Sequence, residues 1–267
     1  MMEQVQLSDE ASTSASSSEI ASALKRGLII LRAFLTGFVR DRKSWVLVFL
    51  GILPVLFAAG ANVIPTVSYP AGLFYVDFTR SVYVALLIPL YSLLLGTAAL
   101  NDEIESHTII QFVSRPIRRF EILIWRYIAA WIAGIFVAVV VTGVFFGVVT
   151  ANAIIGLDLL FGTWGLCAIT VAVYSSIFIM LGIAIKRPLI WGVLVTLYEQ
   201  LLGILFVFLG GGPFSLSGHI AHVGSTILPY SFTIPDWAPV HSAVLLAAIA
   251  LNCLLLATVI FHNKDLD

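Results

Sequence analysis

Six long apolar segments dominate the chain, and short polar stretches part them. They run from about Trp45 to Val63, Val82 to Leu100, Ile122 to Val149, Leu159 to Ile185, Leu189 to Leu209 and Val240 to Phe261. A helix of about 20 apolar residues crosses a bilayer, so the pattern predicts six transmembrane helices. The third and fourth segments exceed that length, which implies tilt or projection beyond the hydrocarbon. They are joined by a short connection and form an antiparallel hairpin. Only Lys186, Arg187 and Pro188 part the fourth from the fifth. Pro54 and Pro89 lie inside the first and second segments, where each deletes a helix hydrogen bond and favours a kink.

The start of the chain has a different pattern. Residues 1–18 are rich in Ser, Ala and acids, which predicts a disordered, solvated tail. They do not make a signal peptide, because the first basic residue is Lys25 and no apolar run follows a basic start. Residues 19–43 form an amphipathic helix, with Ser16 and Glu19 at capping-box spacing. Ile20, Leu24, Leu28, Leu31, Leu35 and Phe38 recur every three or four positions, while Lys25, Arg26, Arg32 and Arg40 fall elsewhere. Such a helix lies flat on the membrane surface, with its basic groups near lipid phosphates. The remaining residues, 44–267, hold the six spans. The fold class is an all-α membrane protein.

Composition narrows the function classes. Hydrophobic residues make up 60% of the 267 and charged residues 11%, against roughly 25% charged in a soluble domain. A soluble globule of this composition could not cover its own surface. A cytosolic enzyme, a disordered chain and a secreted disulfide scaffold are excluded. Cys167 and Cys253 both sit in apolar runs and read as small core residues. The net charge of −1 is uninformative, but its distribution is not. With the N-terminus inside, 13 of the 14 basic residues face the cytoplasm and only Arg80 falls outside. The positive-inside rule therefore places both termini in the cytoplasm.

Three segments carry candidate chemistry. The cytoplasmic stretch 101–125 begins acidic (Asp102, Glu103, Glu105), becomes apolar (Ile109, Ile110, Phe112, Val113) and turns basic around Pro116 (Arg115, Arg118, Arg119). Thr108 to Val113 reads as a short helix or turn ended by the Arg115–Pro116 step. Apolar anchors with charges at the rim suit docking on a soluble partner; the same pattern also suits a plain interfacial segment. Glu199 is the one acid deep inside a span. A charge at that depth costs about 2.5–3.5 kcal/mol on insertion scales, which marks it as a functional candidate. Glu199, Gln200 and Asn252 are the candidate pathway residues, with Tyr198, Thr196, Tyr174 and Ser175 as further partners. The competing reading is an acid that locks helix packing. The outer segment 210–239 opens with Gly210 to Pro213 and is broken by Pro229, Pro235 and Pro239. With one charged residue, Asp236, it is expected to dip back into the interface. His219 and His222 share a helical face and His241 follows, but without cysteine and with one carboxylate no metal site is assigned. Ser217-Gly218 lacks the flanking pattern of an intramembrane hydrolase.

The loop resembles the cytoplasmic loop of ABC transporter type-2 permeases. Glu103, Glu105 and Thr108 match the first part of the family's pattern; Ser114, Arg115, Pro116 and Arg119 match the second, and Glu121 follows. His107 and Trp125 stand where the family prefers Gly, and Arg126 where it has Lys. The six-span layout, the amphipathic first helix and the long outer segment before the last span are also similar.

The resemblance implies a permease subunit that works in pairs and binds a separate ATPase. The loop then corresponds to the coupling helix, with Glu103, Glu105, Thr108, Ile109, Phe112, Ser114, Arg115, Pro116 and Arg119 as its coupling residues. ATP and Mg belong to the partner; no cofactor and no catalytic residue is expected on this chain. The absence of any Gly-Lys dipeptide, and so of a phosphate loop, agrees with that. The expected role is export of a hydrophobic or amphipathic solute (a drug, lipid or peptide) across a prokaryotic cell membrane. The expected partners are an ABC ATPase, a second permease copy or a related permease, and the lipid bilayer, with no nucleic acid. The alternatives are an ATP-independent secondary transporter, which needs more intramembrane ionisable groups, and a non-transporting structural subunit.

Overall fold

The computed structural model describes residues 25–40, 42–62, 70–98, 119–151, 154–209, 215–228 and 238–263. Among them every regular element is helical and none is a strand. We label residues 25–40 as α1, Arg42–Asn62 as α2 and the continuous helix 71–98 as α3. α3 has three parts: Ala71–Phe78, a wider π-helical turn over Thr79–Leu87, and Ile88–Ala98. Then come α4 (Arg119–Thr150), α5 (Leu157–Ala184), α6 (Pro188–Leu209), α7 (Leu216–Ile227) and α8 (Pro239–Asn263). Among the described residues, four stretches have the length and apolarity to cross a membrane: Ala71–Thr97, Phe120–Thr150, Leu157–Ala184 and Pro239–Asn263. Trp45–Phe57 is a shorter apolar helix.

α5 is the hub. It packs against α3, α4, α6, α7 and α8, and it is buried along its length from Leu159 to Ile183. Its contact with α3 depends on two small residues. A Cβ on Gly96 would stand 3.0 Å from the Phe178 Cβ, and one on Gly182 would stand 3.4 Å from the Thr97 Cα. Lipid supplies no hydrophobic drive between helices, so close backbone approach through small residues is what holds such a pair.

α3 starts at Ala71, earlier than the Val82 expected from hydropathy. In the sequence Arg80 falls outside the second span. Packing decides otherwise. Phe74, Tyr75, Phe78 and Tyr83 surround Phe145 of α4, with centroids 6.2, 5.4, 4.8 and 5.8 Å from it. Aromatic pairs at these spacings add stabilisation beyond burial, and they extend the helix by two turns or more.

α1 follows its amphipathic reading only in part. Leu28, on the expected apolar stripe, is 56% exposed, whereas Ile30 is buried. Leu35 and Phe38 of the expected stripe do pack against the core, and the face that meets the protein carries Gly27, Ile30 and Phe34 as well. A Cβ on Gly27 would overlap the indole of Trp125 in α4. Arg26 pairs with Glu121 at 3.5 Å, and the Arg126 guanidinium lies 5.7 Å from the centre of the Phe34 ring. Trp125 thus sits where α1 offers no side chain. The start of the first helix, with Ser16 and Glu19, lies outside the described residues, as does the tail 1–18.

This fit is testable. Gly27→Val should cost about 1–3 kcal/mol by overpacking, which in a protein of this size lowers the melting temperature by about 2–4 °C per kcal/mol. In a Trp125→Ala background the same substitution should cost little. Equal losses in both backgrounds, read by thermal unfolding in detergent, would contradict the packing.

Candidate functional site

The site is built from two consecutive residues of α6. Successive helix residues point about 100° apart, so Glu199 and Gln200 reach different neighbours.

Glu199 reaches α7. The start of a helix leaves backbone N–H groups without partners. Ser215, the N-cap residue, accepts the Gly218 N–H on its Oγ at 3.0 Å. Glu199 Oε1 accepts the Ser217 N–H at 2.7 Å and the Ser215 hydroxyl at 3.0 Å. The Ser217 hydroxyl lies 2.7 Å from Ser215 Oγ. Because Ser215 gives its one hydrogen to Glu199, Ser217 is the donor there. The acid sits at the positive end of a helix dipole, where negative charge is favoured. Of the two readings open for Glu199 in the sequence, the geometry adds a partner to each: the carboxyl holds a short helix, and that helix lies at the end of a span.

Gln200 reaches α3. Pro89 has no N–H, so it serves neither the Val84 carbonyl five residues earlier, next in the π register in which Ile88 donates to Tyr83, nor the Ala85 carbonyl four residues earlier. The Gln200 Nε2 donates to the Ala85 carbonyl. The preceding π turn, Thr79–Leu87, widens the helix ahead of the proline, a device that accommodates an interrupted ladder. Gln200 therefore satisfies in trans a group that Pro89 leaves open.

α7 has a second attachment. His219 and His222 lie one turn apart, and each places Nδ1 on the Ser242 hydroxyl of α8, at 3.0 and 2.9 Å. All three residues are buried. One hydroxyl has one hydrogen, so it donates to one ring only; the other ring donates its own Nδ1–H to Ser242 Oγ. His241 does not join them: it is exposed, with Nδ1 3.3 Å from the Ala238 carbonyl.

The other candidates are dispersed. Asn252 is exposed on α8 and donates to the Ala248 carbonyl at 2.8 Å, away from any link to Glu199 or Gln200. Thr196 bonds back to the Gly192 carbonyl at 2.9 Å. Tyr174 and Ser175 are buried on α5. Glu103, Glu105, Thr108, Ile109, Phe112, Ser114, Arg115 and Pro116 lie outside the described residues, and Arg119 opens α4. Ser215, Ser217 and Ser242 were not singled out in the sequence. Ser215 had a signal, an N-cap hydroxyl before a helical run; Ser242 had none.

The repair at Pro89 predicts a double-mutant cycle. Gln200→Leu orphans the Ala85 carbonyl and should cost about 1–3 kcal/mol. In a Pro89→Ala background, residue 89 regains an N–H for Ala85, and the same substitution should cost a fraction of that. Equal costs in both backgrounds, from thermal unfolding of the four proteins, would contradict the assignment.

A family model described as ABC-2 family transporter protein matches residues 3–219. No curated protein matches the chain. The match covers most of the sequence and agrees with the all-helical, apolar architecture, so the chain is a multi-pass membrane protein that belongs to the ABC-2 family of transporter proteins.

Proposed function

We propose that the chain is the membrane subunit of an ATP-driven ABC exporter, with hydrolysis on a separate ATPase that carries ATP and Mg. It sits in a prokaryotic cell membrane with six spans and cytoplasmic termini, and it works as a pair, as a homodimer or with a related permease. Family membership carries the reading, because the match spans the loop 101–125 and α4 begins at Arg119, where the loop's charged motif ends. The ATPase grips Glu103, Glu105, Thr108, Ile109, Phe112, Ser114, Arg115, Pro116 and Arg119. A push there reaches α4 directly, and α1 through the Arg26–Glu121 pair and the Gly27–Trp125 fit.

Glu199 and Gln200 stand on the substrate pathway as positioning residues: they tie α6 to the short helix α7 and to the π turn of α3. Asn252, on the exposed face of α8, adds to the pathway where a second copy meets the first. The solute is hydrophobic or amphipathic, since the described spans offer little charge to a polar one. Glu199 is occupied by α7, which leaves ion coupling by a secondary transporter without its main candidate.

Co-purification tests this reading. An ABC ATPase encoded beside the permease gene should co-purify with the wild-type chain, and alanine at Ile109, Phe112 and Arg115 together should reduce its recovery at least about tenfold, as loss of interface anchors does. A wild-type chain that binds no ATPase would overturn it.

A further inference from the structure

We propose that Tyr75 and Thr79 of α3 and Thr163 of α5 hold a buried water molecule between the two helices. The first sign is a need that the chain leaves unmet. All three residues are enclosed, with exposures of 0%, 2% and 0%, and none of their hydroxyls makes a hydrogen bond. A hydroxyl shut away without a partner is costly, most of all in hydrocarbon.

The same bundle shows how such groups are met where the chain can meet them. Thr97 on α3 and Thr170 on α5 bond to carbonyls one turn back, as does Thr142 on α4. Tyr83, Tyr127 and Trp131 reach carbonyls on an adjacent helix. Thr79 and Thr163 do not turn back in this way, and Tyr75 reaches no carbonyl.

The three groups converge instead. Tyr75 and Thr79 lie one turn apart on α3, and the Tyr75 hydroxyl is close enough to interact with both threonines. Its ring is held by Phe145, stacked at 5.4 Å, and by Phe146, edge-on at 5.4 Å. Each hydroxyl has one hydrogen to give and can accept another. A water has two hydrogens and two acceptor positions. Buried waters typically make about three hydrogen bonds to groups that a fold leaves open, so one water serves all three hydroxyls.

The walls select that occupant. The groups that act on the Tyr75 hydroxyl are Thr163, Cys167 and Thr79, and none of them carries a charge to hold an ion. Enclosure on every side leaves the smallest neutral ligand that both donates and accepts. The site also has a defined place in the fold. At Thr79, α3 passes from its α-helical start into the π turn, and Thr163 lies on the hub helix α5. The water thus does between α3 and α5 what Gln200 does between α3 and α6: it completes groups beside the irregular stretch of α3. The inference does not depend on the solute or on the partner ATPase.

The test uses the purified full chain in detergent, labelled by hydroxyl radicals from X-ray radiolysis and read by mass spectrometry. Radicals born from a bound water mark the side chains beside it even where bulk solvent is shut out. Tyr83 is the control: it is as buried as Tyr75, packs on the same Phe145 ring and gives its hydroxyl to the Gly51 carbonyl. Tyr75 should label several-fold faster than Tyr83. Thr163→Val should bring Tyr75 down to the Tyr83 rate, and Thr163→Ser, which keeps a hydroxyl, should restore it. Tyr75→Phe should lower the melting temperature by about 2–4 °C, the loss of one net hydrogen bond in a chain of this size. If Thr163→Val does not fold, the wild-type comparison and Tyr75→Phe decide. Tyr75 labelling no faster than Tyr83, as direct bonds between dry hydroxyls would give, would overturn the water site. So would labelling that Thr163→Val leaves unchanged, or a melting temperature that Tyr75→Phe leaves unchanged or raises.

Discussion

Hydrocarbon offers no hydrogen bonds, and that absence shapes this molecule. Each polar group inside the bundle must find its partner within the chain or in bound water, because an unmet one costs several kcal/mol. Three buried threonines meet the requirement locally by bonding to carbonyls one turn back: Thr97 to Leu93, Thr142 to Ala138 and Thr170 to Leu166. Two further needs are met by links between helices. The Ala85 carbonyl, opened by Pro89, is closed by Gln200. The free N–H groups of α7 are closed by Glu199 and Ser215.

Those links give the bundle its mechanical layout. α5 is the fixed hub, pressed on α3 through Gly96 and Gly182. α6 is different: its outward positions, Leu189, Trp191, Leu194, Leu197 and Leu201 among them, are exposed and apolar, and its polar grip comes from adjacent residues. Glu199 and Gln200 connect one helix to the short helix α7 and to the one irregular turn of α3. A displacement of α6 acts on both. At the other end of the molecule, α1 and α4 are joined by a salt bridge, a ring–cation contact and the close fit of Trp125 on Gly27. The same chain thus carries one close-packed junction at the start of α4 and one polar junction beside α7.

Much of the helical layout was legible in the sequence, because hydropathy reports directly on burial in lipid. The start of α3 was not. Its first turns carry Asp77 and Arg80, and the aromatic packing on Phe145 that makes them helical involves a residue some 70 positions away along the chain. The inner face of α1 was legible at Leu35 and Phe38 but not at its start, where the Trp125 indole selects Gly27 and periodicity ranks Gly as no anchor. Glu199 stood out by cost alone, and Gln200 by adjacency. Their partners were hidden, since Ser215 and Ala85 are joined to them only through tertiary contacts. That Pro89 leaves the Ala85 carbonyl open can be deduced from sequence; which side chain closes it cannot. Asn252 was grouped with Glu199 on polarity, and in the fold it serves its own helix.

The central claim is that Glu199 holds the N-terminus of α7. Amide hydrogen exchange at Ser217 and Gly218, compared between wild type and Glu199→Ala, addresses it most directly. A carboxylate hydrogen bond of ordinary strength predicts exchange at least about tenfold faster in the variant at Ser217, whose amide it holds, and a smaller change at Gly218, which Ser215 caps, with α5 unaffected. Equal protection of Ser217 in the two proteins would contradict the account.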